Sequence, residues 1–146
     1  DVSADALAVA ERNVADYGME ERIALLRSDL FAGLTDRRYD LILSNPPYVS
    51  AGVVAAFPPE YAAEPRLAHA GGADGLDIVR RILAEAGDHL TPDGVLVVEI
   101  GTGRDILQAE FPALPFLWLD TAESDGEVFA LTAKDLKTSR KPTSRS

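Results

Sequence analysis

The residues Ser44-Asn45-Pro46-Pro47-Tyr48 combine chemical groups that could hold and orient a small planar substrate. They follow an apolar run, Tyr39 to Leu43, which predicts a buried β-strand. Proline has no N–H to donate to a sheet ladder, so the strand must end there. An amide side chain, rigid carbonyls and one aromatic ring then lie at the carboxyl end of a strand, where open α/β sheets bind ligands. On the residues alone, a proline-stiffened turn with an incidental asparagine is the alternative interpretation.

The elements that must position this segment alternate between helix and strand. Apolar residues at helical spacing predict one helix that begins after Ser3 and ends at Gly18, and a second that runs from Asp74 to Leu90. The other predicted elements are strands at Ile23–Leu26, Val95–Ile100, Pro115–Leu119 and Val128–Leu131, a turn at Thr91–Gly94 and a short helix at Arg104–Glu110. Alternation of this kind predicts an α/β domain with a mostly parallel sheet, and the closing strand pair predicts an antiparallel edge.

Two segments of the chain carry few signs of regular structure. Residues 49–75 are long, irregular and rich in proline and glycine, as lids and binding loops often are. After Leu136 the chain becomes rich in lysine, arginine, serine and threonine, which predicts a disordered basic tail at residues 137–146. We therefore assign residues 1–136 to one domain.

Composition limits the classes of function. The 146 residues carry 14 basic and 24 acidic side chains, a net charge of −10, which argues against direct nucleic-acid binding as the main source of affinity. The absence of cysteine and the wide separation of His69 and His89 predict no metal site. Absence of cysteine also fits a reducing cytoplasm. No apolar run reaches membrane-spanning length, so no membrane partner is expected.

Several segments resemble known methyltransferases. Ser28-Asp29-Leu30-Phe31 followed by Ser44-Asn45-Pro46-Pro47-Tyr48 resembles class I S-adenosylmethionine-dependent methyltransferases, which have a Rossmann-like fold. The Asn-Pro-Pro-Tyr loop is shared by enzymes that methylate adenine N6, some guanine N2 and glutamine side-chain nitrogens. Three further segments resemble the HemK-type protein-(glutamine N5) methyltransferases: Glu64-Pro65-Arg66-Leu67-Ala68, Gly71-Gly72-x-Asp74-Gly75-Leu76 and Glu99-Ile100-Gly101.

The resemblance extends to one branch of that family. Pro59-Glu60-Tyr61, Pro115-Phe116-x-Trp118-Leu119 and Asp125-Gly126-x-Val128-Phe129 look like the branch that modifies large-subunit ribosomal protein three rather than release factors. The implied function is methyl transfer to a glutamine side chain of a protein substrate, a ribosomal protein or, alternatively, a release factor. Two further functions stay open: a nucleic-acid N-methyltransferase, and a catalytically silent domain that at most binds a partner.

The resemblance also implies roles for individual residues. Asp1 would accept hydrogen bonds from the ribose hydroxyls of S-adenosylmethionine and Asp29 from its adenine amino group, with Leu30 and Phe31 lining the ring pocket. Asn45 would border the cofactor as well as the substrate.

The substrate amide would be held by the loop itself. The Asn45 side-chain oxygen and the Pro46 carbonyl would accept its two N–H bonds, Pro47 would stiffen the loop, and Tyr48 would pack on the amide plane.

Other residues receive structural interpretations. We expect Glu64 and Arg66 to order the long loop, Glu99 to be hydrogen-bonded near the site, His69 to lie at the surface and Trp118 to pack at a strand edge.

The family carries a first strand and a Gly-rich turn ahead of the residue that matches Asp1. The resemblance therefore implies that the chain is truncated at its N-terminus and that residues 1–136 form only part of the catalytic domain. This part would lack its central strand and expose unpaired strand edges. We predict that these 146 residues alone are weakly stable, inactive and poor at binding the cofactor. Isothermal titration calorimetry with S-adenosylmethionine measures this, and micromolar binding would contradict it.

Overall fold

The computed structural model describes residues 1–48, 73–120 and 126–139, and the chain divides into two compact units, Asp1–Arg37 and Arg38–Ser146. The first unit contains helix α1, Ala4–Asp16. The helices and strands of the second unit are β1 Tyr39–Ser44, α2 Asp77–Glu85, β2 Leu90–Glu99, α3 Arg104–Glu110, β3 Leu117–Leu119, β4 Val128–Thr132 and α4 Ala133–Ser139, with a 3₁₀ turn at Ala86–Asp88. In the described part of the chain, no helix is long and apolar enough to cross a bilayer.

Helix α1 confirms the first prediction. The Ser3 hydroxyl accepts a hydrogen bond from the Ala6 N–H at 3.2 Å, and Asp5 lies in the first turn, where the helix dipole favours an acid. The helix ends at Asp16, and Gly18 follows the C-cap Tyr17 with a φ of +62°, which suits a residue without a β-carbon and agrees with the predicted C-terminal glycine.

The predicted strand at Ile23–Leu26 is wrong. Within the first unit this segment is held by Asp1, whose amino group donates to the Leu26 carbonyl at 3.0 Å and whose carbonyl accepts from the Ser28 N–H at 2.9 Å. A strand needs a longer ladder, and the segment is not among the described strands. Its side chains stay exposed in consequence, Ile23 by 45% and Leu25 by 40%.

The second unit contains a mixed four-stranded sheet in the order β1-β2-β4-β3. Strands β1 and β2 are parallel, whereas β4 is antiparallel to both β2 and β3, which confirms the antiparallel edge. Only one of the three pairings among the described strands is parallel. Strand β1 pairs with β2 alone in this set, and its Leu41 and Leu43 are 53% and 68% exposed.

The segment predicted as a turn, Thr91–Gly94, lies inside β2 as an irregularity of the ladder. Tyr39 pairs with Leu90 and Leu41 with Val95, so four residues of β2 face one residue of β1. A β-carbon at Gly94 would lie 2.8 Å from the Tyr39 carbonyl oxygen, which explains the glycine. The helix predicted to reach Leu90 ends earlier, at Glu85, and Leu90 begins β2.

Alternate residues of β2 form the centre of the core. Leu96 and Val98 of β2, like Ile100 just after the strand, are at most 1% exposed. Leu96 and Val98 pair with the buried Leu131 and Phe129 of β4. Helices α2 and α4 bury further apolar side chains: Val79, Ile82, Leu83 and Leu136.

Helix α4 was not expected from the sequence, although a signal was present. Thr132 and Asp135 form a capping box, in which Asp135 accepts from the Thr132 N–H at 2.8 Å and the Thr132 hydroxyl accepts from the Asp135 N–H at 3.2 Å. The helix extends three residues into the segment interpreted as a tail, and residues 140–146 lie outside the described residues.

Arg80 of α2 joins three acidic side chains. Its guanidinium contacts Asp74 at 2.6 Å, Glu110 of α3 at 2.8 Å and Asp77 at 3.2 Å. The Arg80 hydrogen bonds, followed by the Leu76 N–H, lower the pKa of Asp74 to about 2. Asp74 therefore ties the turn before α2 to both helices.

We predict that Asp74→Asn lowers the free energy of unfolding at pH 7 by about 1 kcal/mol, a modest value because the pair is partly exposed and screened. Since the folded pKa is depressed, this stabilisation is complete above the ordinary carboxyl pKa and disappears as pH falls from about 4 towards 2. Urea unfolding at pH 7 and pH 3 measures both effects.

Asp93→Asn is the matched control for that variant. Asp93 contacts Lys134 at 3.2 Å, but the two side chains are 89% and 77% exposed, so the change should cost less than about 0.5 kcal/mol. An equal loss of unfolding free energy in the two variants would show that the Arg80 cluster stabilises the fold no more than an exposed ion pair does.

Candidate functional site

The polar loop after β1 begins just before its two prolines, as expected for residues that cannot continue a strand. Ser44 is the last residue of β1 and pairs with Val98, and the chain then leaves the sheet. Asn45 is exposed, Pro46 is buried and Pro47 is half-buried. The buried proline fixes the backbone beside Asn45, so the asparagine amide is presented to solvent from a rigid support.

Tyr48 is anchored on the neighbouring strand end. A β-carbon built on Gly101 would lie 2.8 Å from two carbons of the Tyr48 ring, so the ring rests directly on the glycine backbone. Gly101 also has a φ of +56°, which favours glycine. At the other end of the ring, the Tyr48 hydroxyl donates to Glu99 Oε1 at 3.5 Å.

The surroundings of Tyr48 favour its neutral form. Burial is the largest cause of its raised pKa, followed by the negative charges of Glu99 and Glu127 and by the hydrogen bond to Glu99. Glu127 is held nearby because its carbonyl accepts the Ile100 N–H at 2.8 Å. The phenol is therefore a hydrogen-bond donor throughout the neutral pH range.

A second glycine brings another motif segment to the same strand end. A β-carbon at Gly103 would lie 2.6 Å from Leu76 Cδ2, and Leu76 itself is 1% exposed. The structure thus brings together three segments that are far apart in the chain: the loop at Asn45–Tyr48, the turn at Asp74–Leu76 and the strand end at Glu99–Gly103. All three belong to the second unit.

Five residues were expected to border the cofactor: Asp1, Asp29, Leu30 and Phe31 lie in the first unit, and Asn45 lies in the second. The exposed Asp1 carboxylate accepts the Ser3 N–H at 2.8 Å through Oδ1. Asp29 is exposed and Phe31 is buried, at 8% exposure. Leu30 has a φ of +47°, uncommon for a residue with a side chain.

The sequence did not single out Ser28, which holds this turn. Its hydroxyl donates to the Leu30 carbonyl at 2.9 Å and accepts from the Gly33 N–H at 2.8 Å. Its position just before Asp29 was the available signal.

A groove of about 380 Å³ lies against α1 in the first unit. Its lining includes Asp1, Ser28 and Leu30, together with apolar side chains of α1 and of the Ala24–Leu26 segment. Asp29 and Phe31 are not part of the lining. The groove therefore includes two of the five residues expected to border the cofactor, Asp1 and Leu30.

Trp118 packs at the edge of the sheet, as expected. It lies 5.5 Å from Phe116 and 5.7 Å from Phe129, and the Arg104 guanidinium lies 5.0 Å above its ring. Glu64, Arg66 and His69 lie outside the described residues. Among the described side chains, no group of three or more acidic residues and histidines is arranged to hold a metal ion.

The fold and the sequence of the first residues identify a class. The family profile of the Methyltransferase small domain matches residues 1–57. The solved structure of ribosomal protein L11 methylase from Lactobacillus delbrueckii subsp. bulgaricus superimposes with a TM-score of 0.55 over 90% of this chain and 53% of that chain, at 20% identity. The chain therefore has the fold of a class I methyltransferase.

Sequence comparison shows which named methyltransferases the chain is similar to. The chain is 60% identical over 136 residues to the ribosomal protein uL3 glutamine methyltransferase of Bradyrhizobium diazoefficiens, and 58% identical over 136 residues to that of Neisseria gonorrhoeae. The corresponding Bordetella pertussis protein is 54% identical over 138 residues. These alignments cover 93–94% of this chain and 43–46% of the relatives, so the chain spans less than half their length. Over that span it is a homologue of these glutamine methyltransferases.

We predict that Gly101→Ala lowers the free energy of unfolding by at least about 2 kcal/mol, because the new methyl group would overlap the Tyr48 ring and force it away. Gly18→Ala is the matched control, since Gly18 has a similar φ but nothing within 4 Å of its β-carbon position. It should show only the backbone cost, about 1 kcal/mol. Urea unfolding compares the two variants, and equal losses would mean that the ring does not rest on Gly101.

Proposed function

We propose that the protein transfers a methyl group from S-adenosylmethionine to the side-chain amide nitrogen of a glutamine in ribosomal protein uL3. The observation that carries this proposal is the loop after β1, where an exposed Asn45 amide is followed by a buried Pro46 and an anchored Tyr48. We choose uL3 as the substrate because the relatives are named for it. The reaction would take place in the cytoplasm.

The loop suits the chemistry of a primary amide. The nitrogen lone pair of an amide is delocalised into its carbonyl, so the group must be held firmly in one orientation before it can react. Asn45 can accept one amide N–H through its side-chain oxygen, and the Pro46 carbonyl can accept the other. Because the prolines restrict the backbone that carries both acceptors, less conformational entropy remains to be lost when substrate binds.

Tyr48 would form a wall of the amide site. Its ring is held on Gly101, and 36% of the side chain remains exposed, so one part is available to a substrate. A flat ring can pack against the amide plane and exclude water from the reacting nitrogen. No strong base is required, because the nitrogen loses a proton readily once it is methylated.

The first unit has groups that fit an adenosine-containing cofactor. The Asp1 carboxylate is oriented by Ser3 and borders a groove that is otherwise mainly apolar, which suits a ribose beside a purine ring. We assign the ribose hydroxyls to Asp1, the adenine amino group to Asp29 and the ring contacts to Leu30 and Phe31. Bound S-adenosylmethionine supplies an electrophilic methyl group and so carries the bond-making chemistry.

A release factor, a nucleic acid and a silent domain each have less support. The relatives described above are named for a ribosomal protein, which favours uL3 over a release factor. A net charge of −10 and the acidic pair Glu99 and Glu127 beside Tyr48 disfavour a nucleic-acid substrate. The loop geometry disfavours a catalytically silent domain, since its acceptors are held in place.

Transfer of tritium from labelled S-adenosylmethionine tests the proposal. The reading frame that contains this chain is expressed from its start codon and incubated separately with uL3, a release factor, DNA and RNA. We expect label in uL3, in a glutamine that mass spectrometry identifies. Label in nucleic acid, or in none of the four, would refute the proposal.

We predict that Asn45→Ala in the same protein lowers kcat by about a hundredfold or more, because one of two fixed acceptors is lost. Cofactor affinity, measured by calorimetry, should stay close to that of the unchanged protein. Gln108→Ala is the control, since it removes an exposed amide from α3. If kcat were unchanged in Asn45→Ala, Asn45 would not be a residue of the amide site.

A further inference from the structure

Glu99 is an acidic side chain at the end of the most apolar strand of the chain. It is the last residue of β2, is half-buried, and follows Leu96, Val97 and Val98. A carboxylate in such surroundings loses hydration and needs hydrogen-bond donors in exchange. The Tyr48 hydroxyl is one such donor, at 3.5 Å from Oε1.

Glu99 and Gly101 together support Tyr48 at two points. Gly101 carries the ring and Glu99 receives the hydroxyl, and the residue between them, Ile100, is 1% exposed in the core. Because both supports flank an anchored residue, they move with β2 and not with the loop. The position of the Tyr48 side chain is therefore set by contacts at the end of β2, although Tyr48 belongs to the loop that carries Asn45.

We propose that Glu99 is a positioning residue, which holds the Tyr48 hydroxyl so that the ring forms a fixed wall of the glutamine amide site. The inference rests on the proposed function and extends it to a residue that would not itself touch the substrate. The 3.5 Å separation is long for a hydrogen bond between oxygens, and such contacts tighten when substrate binds.

Two charged groups face the Tyr48 hydroxyl, Glu99 on β2 and Glu127 before β4. Both repel the phenolate, and burial of the ring opposes ionisation further. The phenol therefore stays protonated and keeps donating to Glu99 over the pH range in which the protein would work.

Kinetics of two Glu99 variants separate positioning from proton transfer. Glu99→Gln keeps an acceptor oxygen in place, so kcat/KM for a uL3 glutamine peptide should stay within about threefold of the unchanged protein. Glu99→Ala loses the acceptor, and kcat/KM should fall about tenfold while the KM for S-adenosylmethionine stays the same. If Glu99 were a general base, Glu99→Gln would be as inactive as Glu99→Ala, which would overturn the proposal.

A titration that needs no catalysis tests the contact itself. Tyrosines are replaced by 3-fluorotyrosine, whose phenol titrates at lower pH, and the Tyr48 signal in the ¹⁹F spectrum is assigned with Tyr48→Phe. Glu99→Gln should lower the pKa of the residue at position 48, because a facing negative charge is removed. An unchanged titration would overturn the inference.

Glu127→Gln is the matched control. It removes the other facing charge but not the hydrogen bond, so it should lower the same pKa and leave kcat/KM unchanged. A tenfold loss of kcat/KM in Glu127→Gln would mean that charge, rather than positioning, underlies the Glu99 effect.

The methyl-transfer assay and the Tyr48 titration test the two proposals independently. If the unchanged protein transfers no methyl group to uL3, the proposed function fails, and the titration still decides whether Glu99 holds Tyr48.

Discussion

The contact between the Tyr48 ring and the Gly101 backbone determines the geometry of the candidate site. It exists because β1 and β2 are parallel and in register, with Ser44 opposite Val98. Residues that follow each strand by a few positions therefore leave the sheet side by side. A shift of the register by one residue would turn every side chain of β1 to the other face of the sheet and separate the ring from the glycine. The position of the loop is thus a property of the ladder, and the ladder is held by the buried face of β2.

Close approaches to glycine recur around this strand end. Leu76 lies against Gly103, and Arg104, whose guanidinium also covers Trp118, lies against Gly126. At each place a side chain occupies the volume where another residue would have its β-carbon. The strand end is consequently dense and stiff, whereas the Asn45 side chain points out of it into solvent. This division suits a site that must fix acceptors in advance, because binding energy is not spent on ordering them.

Much of this arrangement could be predicted from local sequence, and the failures have identifiable causes. Ser3 and Gly18 specify the ends of α1 through capping, and the prolines end β1, since both effects act within a few residues. Ile23–Leu26 has the composition of a strand, but a strand also requires a partner, and composition does not report one. The contacts of Tyr48 with Glu99 and Gly101 span about fifty residues and depend on register, so the sequence indicated that Glu99 lies near the site without indicating what it binds.

The charges at the site suggest how partners are selected. Tyr48 remains neutral, so the negative potential beside its hydroxyl comes from Glu99 and Glu127, within a chain whose net charge is −10. Such a field repels phosphate backbones and attracts cationic groups, and because the whole chain carries a net charge of −10, the field persists when one of the two carboxylates is replaced. At physiological ionic strength the attraction extends about 8 Å from an exposed charge. Selection by charge would therefore operate over a short distance, and the proposed acceptors at Asn45 and Pro46 would then distinguish an amide from the other groups that this field attracts.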